Sequence, residues 1–469
     1  MTEHSRSLTA LRGAVDSAFD NSLEQLKTLV RIPSVSWDGF DASHVTRTAE
    51  FIHDAIAVSP LFSRGGEGEG VRIVRGHVPG GGLGREAVIA RRNPAPGFPT
   101  VMLYAHHDVQ PPGDDALWDS PPFEPEVRDG RLYGRGAADD KAGVMVHLTA
   151  LELLAKATDY DPNIGIVLFI EGEEEFGSRS FPDLLTTYQH WLDADIIVVA
   201  DSDNRSVDIP SLTVSLRGNV TFIAQISTLA HASHSGMLGG AVPDAMMAAA
   251  SLMASFHSAD GSVAVEGLKS FDASVPEFSD EELRHDSGLL DGVEPIGEGP
   301  VLSRIWFSPA ITVTGIDAPS VKNASNTLTP TVTIKVSVRV APGQTAKSAY
   351  EAITAHIAQH TPFGAHVEVG DVDLGNPYLV DATGSAAVLQ IEALRNAWDG
   401  AEPVLAGVGG SIPFIAQLAE VFPDAQILVT GVEDPQSRAH SPNESLSLSV
   451  FRRAILSELL VLTRLHDQE

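Results

Sequence analysis

Histidine and carboxylate side chains recur in this chain just past short apolar runs, a placement suited to binding a pair of divalent cations. Residues 101–104 run into His106 and Asp108, and residues 164–170 run into Glu171-Gly172-Glu173-Glu174-Glu175. Residues 195–200 run into Asp201, and residues 426–430 lead through a Gly-containing loop to His440. Imidazole nitrogen together with Asp and Glu oxygen is a donor set that zinc accepts readily, whereas oxygen alone would favour magnesium or calcium. Two His and three carboxylates suffice for two zinc ions if Asp139 bridges them, with His106 and Asp201 on one ion and Glu175 and His440 on the other. Such a pair, about 3.5–4 Å apart, would activate one shared water. Asp108, two residues after His106, is placed to hold the other ring nitrogen of that imidazole or of a neighbouring one. Glu174, beside the expected ligand Glu175, stays unligated and is the candidate general base for moving a proton from water to a leaving amine.

Those side chains need a scaffold that brings distant sequence together. Continuous apolar runs of this length suit strands buried on both faces of a parallel sheet, and open α/β sheets hold ligands beyond the carboxyl ends of their strands. The expected fold is α/β: a catalytic domain with a mostly parallel central sheet flanked by helices, formed by 1–207 and 378–469. An α+β lid or dimerisation domain, 211–375, is inserted into it. Residues 5–30 and 41–57 read as amphipathic helices, and 65–70 and 80–84 as turns flanking a hairpin. The long β-branched stretch 211–227 reads as one antiparallel-type strand that opens the lid. Further lid elements are a helix over 243–256, a strand over 331–340, a helix over 346–360 and a strand near 365–369. Residues 258–300 read as acidic and irregular. After His440, the set Ser441, Pro442 and Glu444 predicts an N-cap, first-turn proline and capping box opening the last helix.

Several motifs carry a family resemblance: HHDVQPP at 106–112, WDSPPFEP at 118–125, DGRLYGRGAADDKAG at 129–143, EGEEEFGS at 171–178, HSGMLGG at 234–240 and AHSPNE at 439–444. In this order they resemble the co-catalytic zinc metallopeptidases, which include carnosinases, bacterial dipeptidases, aminoacylases and glutamate carboxypeptidases. The WDSPPFEP and YGRGAADDK stretches look most like the dipeptidase branch. The resemblance implies that Asp139 bridges, that Glu174 and Glu175 are base and ligand, and that a non-proline cis peptide follows Asp139. It also implies that His234 reaches a partner's active site in a homodimer and stabilises the oxyanion. Asn326, Arg339, Gly410 and Ser411 fall on positions that resemble substrate binders, and Arg339 suits bidentate capture of a carboxylate. One position departs from the pattern. Where carnosinase-like members have an acid suited to a free amino terminus, this chain has Val408, which raises the standing of an N-acylated substrate.

Composition narrows the alternatives. With 469 residues, 43% hydrophobic content and no cysteine, the chain can bury a large core and uses neither disulfides nor thiolate chemistry. A net charge of −31 argues against nucleic-acid or anionic-membrane partners. No apolar stretch reaches the roughly 20 residues needed to span a bilayer, and the expected location is cytoplasmic. The sequence therefore predicts a hydrolase of small peptides, most simply a dipeptidase, with two zinc ions per chain or manganese or cobalt in their place. The alternatives are an N-acyl amino acid deacylase and a non-catalytic binding descendant. His107, His147, His231 and Asp140 are read as structural.

Overall fold

The computed structural model describes residues 7–62, 68–410 and 413–468. They divide into two compact units, one of residues 1–214, 380–405 and 417–469 and the other of 215–379 and 406–416.

In the first unit the strands are β1 (Gly70–Val74), β2 (Ala87–Arg92), β3 (Thr100–His106), β4 (Gly165–Glu171), β5 (Ile196–Val199), β6 (Ser211–Leu216) and, late in the chain, a strand over Gln426–Val429. Their spatial order is β1-β2-β4-β3-β5, then Gln426–Val429, then β6. The hairpin strands β1 and β2 are antiparallel, and β2 is antiparallel to β4. The four central strands, β4, β3, β5 and Gln426–Val429, are mutually parallel. Register aligns His106 with Glu171, Tyr104 with Val199, and Val199 with Val429, so the four carboxyl ends share one edge.

Every residue of β3 and β4 is buried, which explains why these runs lack polar alternation. Side chains alternate between faces at period two. Val101, Leu103, Ala105, Ile166, Leu168 and Ile170 join the core made with the helices Leu8–Val30, Lys141–Ala157 and Leu448–Asp467. Tyr104 and Phe169 point to the other face, where Phe181 of the helix Phe181–Thr187 stacks on Phe169 at 5.3 Å.

The second unit holds a four-stranded antiparallel sheet, in the order Ala310–Asp317, Thr331–Val340, Gly218–Ser227, His366–Gly375. Strict alternation of buried and less buried positions along Gly218–Ser227 and Thr331–Val340 marks a sheet packed on one face. That face meets the helices Ala245–Ser255 and Ala346–His360 through Val220, Phe222, Ile334, Val336, Ala248 and Ile353.

Three local expectations are corrected. The stretch 211–227 is two strands, broken at Arg217. The second strand opens on Gly218, where a Cβ would meet the Gly375 carbonyl at 2.6 Å and Pro377 at 2.7 Å. The acidic stretch 258–300 contains a helix, Asp280–Ser287, with a Ser279–Glu282 capping box and a left-handed Gly288 at its end; those local signals outweigh its polar composition. The last helix begins at Leu448, capped by Ser447, and not after Ser441. Glu444 is drawn away from a capping role by the buried donors described below. Among the described residues, no helix is long and apolar enough to cross a membrane.

Candidate active site

His106 ends β3 and is 1% exposed. Its Nδ1 lies 3.1 Å from the Asp108 carbonyl and 3.4 Å from the Asp108 carboxylate. Its Nε2 faces Asp139 Oδ1 at 3.1 Å, Asp201 Oδ1 at 3.9 Å and Glu174 Oε2 at 4.0 Å. From the other side, His440 Nε2 lies 2.9 Å from Asp139 Oδ2 and 3.3 Å from Glu175 Oε2. Asp139 thus turns one oxygen toward each imidazole. Donor atoms of His106, Asp139 and Glu175 lie within 4.8 Å of one another, as do those of His106, Asp140 and Asp201.

The carboxylates are positioned by neighbours rather than by their own strands. Asp108 is fully buried and its carboxylate accepts from Ser36 Oγ at 2.7 Å and from the backbone N–H groups of Glu174 and Glu175, each at 3.1 Å. One side chain therefore sets both the His106 ring and the start of the Glu pair. Gln110 holds Glu175 through its backbone N–H at 3.1 Å and its side-chain amide at 2.7 Å. Asp108→Ala should lower metal affinity by roughly 10–100-fold, read by competition with a chromogenic chelator; unchanged affinity would show that the Glu pair needs no such brace.

The loop before Asp139 rests on Glu444. This fully buried carboxylate accepts from Gly136, Ala138 and Asp139 N–H groups at 3.0, 2.9 and 3.1 Å and from Arg135 at 2.7 Å. The Asp139–Asp140 peptide bond is cis. His440 itself has φ of 62°, in the sparsely populated left-handed region.

Charge is crowded here. Burial, opposed by His106 and reinforced by Asp139, raises the Asp201 pKa to about 6. Burial and repulsion from Asp139 raise Glu175 to about 7 against the hydrogen bond from His440. Glu174 is raised well above the carboxylate range, first by burial. Hydrogen bonds to Asp139 and Glu175 push His440 up to about 11. For Asp139 burial acts upward, but the two imidazoles prevail and hold it low. The cluster has more negative charge than two imidazoles balance, and divalent cations would relieve it; the N and O donor set fits them.

Sequence reasoning passed over Ser36, Gln110 and Glu433. Burial and the nearby Asp139, Asp201 and Asp203 carboxylates raise Glu433 strongly. No residue type marked these positions, because each acts through a fold contact. Asp140 was read as structural; its Oδ2 accepts from the His106 N–H at 3.1 Å, while its Oδ1 is buried without a hydrogen bond. Asp203 pairs as an isolated bridge with Glu433, and Asp201 is the one that faces His106.

In the second unit, His234 is exposed and its Nδ1 accepts from the Gly236 N–H at 3.0 Å. Its strand pairs His234 with Thr327, and the Asn326 carbonyl accepts from the Ser235 N–H at 3.0 Å, so His234 and Asn326 are neighbours. Arg339 sits in the sheet opposite Asn219 and Ala310. Gly410 follows the strand Val404–Val408. Ser411 lies outside the described residues.

A parallel sheet whose strand ends gather two imidazoles and several carboxylates around one point has the make-up of a metal-dependent hydrolase. Residues 102–463 match the model of peptidase family M20/M25/M40, and the chain belongs to that family of metallopeptidases. It is 33% identical over 377 residues to a cysteinylglycine-S-conjugate dipeptidase of Corynebacterium striatum, covering 80% of this chain and 82% of the relative. It is 27% identical over 385 residues to the Beta-Ala-His dipeptidase of Homo sapiens, covering 77% and 73%. The fold is similar to that of the dipeptidase Dug1p from Saccharomyces cerevisiae, with a TM-score of 0.74 at 22% identity over 99% of each chain.

Proposed function

We propose that this enzyme is a dipeptidase that uses two zinc ions, or manganese or cobalt in their place. The reading is carried by the division of the Asp139 oxygens between His106 and His440. His106 and Asp201 would hold one ion, His440 and Glu175 the other, and Asp139 both. Bound ions would supply a Lewis acid for the scissile carbonyl and lower the pKa of the attacking water. Glu174 takes the proton of that water and passes it to the amine nitrogen as the C–N bond breaks.

Residues 211–375 serve in this reading as lid and dimerisation domain of a homodimer. His234 stabilises the oxyanion across the dimer. Asn326, Arg339, Gly410 and Ser411 bind substrate, with Arg339 on its carboxylate. A cytoplasmic location accords with the lack of cysteine. The names of the two curated relatives support dipeptides as substrates.

A deacylase of N-acyl amino acids is the second reading, favoured by Val408 in place of an acid. A panel of free dipeptides and N-acetyl amino acids, assayed with zinc-loaded wild type and Val408→Glu, separates the two. Hydrolysis of free dipeptides is expected, and Val408→Glu should shift the kcat/KM ratio about tenfold further toward them, the effect of roughly 1.4 kcal/mol. No turnover of any free dipeptide would overturn the proposal; an unshifted ratio would remove Val408 from it.

A further inference from the structure

We propose that the second unit carries a separate binding site for a small amphipathic carboxylate, an apolar chain ending in a carboxylate group. The site is a cavity of about 720 Å³ between the edge strand Ala310–Asp317 and the segment 258–300. That size falls among small-molecule pockets. Much of its wall is apolar, with Leu268, Leu283, Leu289, Val293 and Ile305 among the lining residues, and two guanidinium groups, Arg217 and Arg304, also line it.

The two arginines give the cavity its polarity. Arg217 is 8% exposed, and its hydrogen bonds go to neutral carbonyls: Gly409 at 2.9 Å, Ser308 at 3.1 Å and Arg304 at 3.5 Å. Burial, and then the charge of Arg339, lowers its pKa to about 10, with no acid acting against them. Arg304 spends Nη1 on the carbonyls of Ile296 and Gly297, while its Nε is buried with no hydrogen-bond partner. Glu294 and Glu298 line the same cavity from exposed positions, yet neither Arg217 nor Arg304 forms an ion pair among the described residues. A buried cation without a counter-charge and a buried donor without an acceptor both cost free energy. An oxyanion in the cavity supplies the missing counter-charge to the two guanidinium groups, and an apolar chain fills the remaining wall. This site uses none of the residues assigned to hydrolysis.

The test is calorimetric titration of the zinc-loaded protein with octanoate, with 1-octanol and octylamine as head-group controls. Arg217 is left intact because it holds the Gly409 carbonyl. Arg304→Gln removes one of the two guanidinium charges that line the cavity, and Leu289→Trp fills the cavity from a half-buried position. Saturable octanoate binding is expected in wild type, about tenfold weaker in Arg304→Gln, in line with loss of a charge-assisted hydrogen bond, and lost in Leu289→Trp. Dipeptide hydrolysis should stay at the wild-type level in both variants, which also reports that they fold. The proposal is overturned if wild type shows no saturable binding, if both variants bind octanoate as wild type does, or if octanol or octylamine binds as tightly as octanoate.

Discussion

Glu174→Gln should lower kcat by a factor of about 10²–10⁴ while bound metal stays at the wild-type level. The substitution keeps size and hydrogen-bonding shape, so the Glu174 N–H still reaches Asp108 at 3.1 Å and the adjacent Glu175 keeps both contacts with Gln110. What disappears is a group able to take and return a proton. Glu174 stands 4.0 Å from His106 Nε2, next to the donor cluster but outside the trios of mutually close donor atoms. Steady-state kinetics beside metal analysis by mass spectrometry checks both halves. Loss of metal together with activity would reassign Glu174 as a ligand, and retention of full activity would end the general-base role.

Glu444→Ala should destabilise the fold by about 3–5 kcal/mol, the cost of stripping a buried ion pair of one partner. Arg135, only 1% exposed, would keep its charge without the carboxylate 2.7 Å away. The N–H groups of Gly136, Ala138 and Asp139 would lose their acceptor at the same time. Because the last of these belongs to the residue that faces both imidazoles, metal affinity should fall with stability. Glu444→Gln, which retains an acceptor oxygen, should lose less of each. Denaturant unfolding with and without saturating zinc measures both effects; a variant as stable as wild type would show that solvent or rearrangement satisfies those groups.

How far the chain could be read from its sequence depended on the range of the interaction. His106, Glu174, Glu175 and Asp201 were legible because each follows an apolar run, and strands of a parallel sheet present their carboxyl ends on one edge. The two-residue period along Thr331–Val340 and the continuous apolar runs of Thr100–His106 and Gly165–Glu171 reflect local burial on one face or two. Glu444 shows the opposite case. Its local context, Ser441-Pro442 before it, spells a helix start, but four donors 305 to 309 residues upstream in the chain, those of Arg135, Gly136, Ala138 and Asp139, claim its carboxylate instead. Short-range capping and long-range burial compete for one side chain, and the buried ion pair prevails because an unpaired buried charge costs more than an unmade cap.

The chain's sequence alone determined which residue types stand at the strand ends, and with them the chemistry available: imidazole and carboxylate side chains of the kind that bind divalent cations, and no thiol. Tertiary structure decided their partners. It set one Asp139 oxygen toward His106 and the other toward His440, enlisted Ser36 and Gln110 to hold Asp108 and Glu175, and left Arg217 and Arg304 lining one cavity with no ion-pair partner among the described residues. Period and spacing are properties of a local segment, whereas hydrogen-bond satisfaction in a buried site depends on which remote groups reach the same few ångströms.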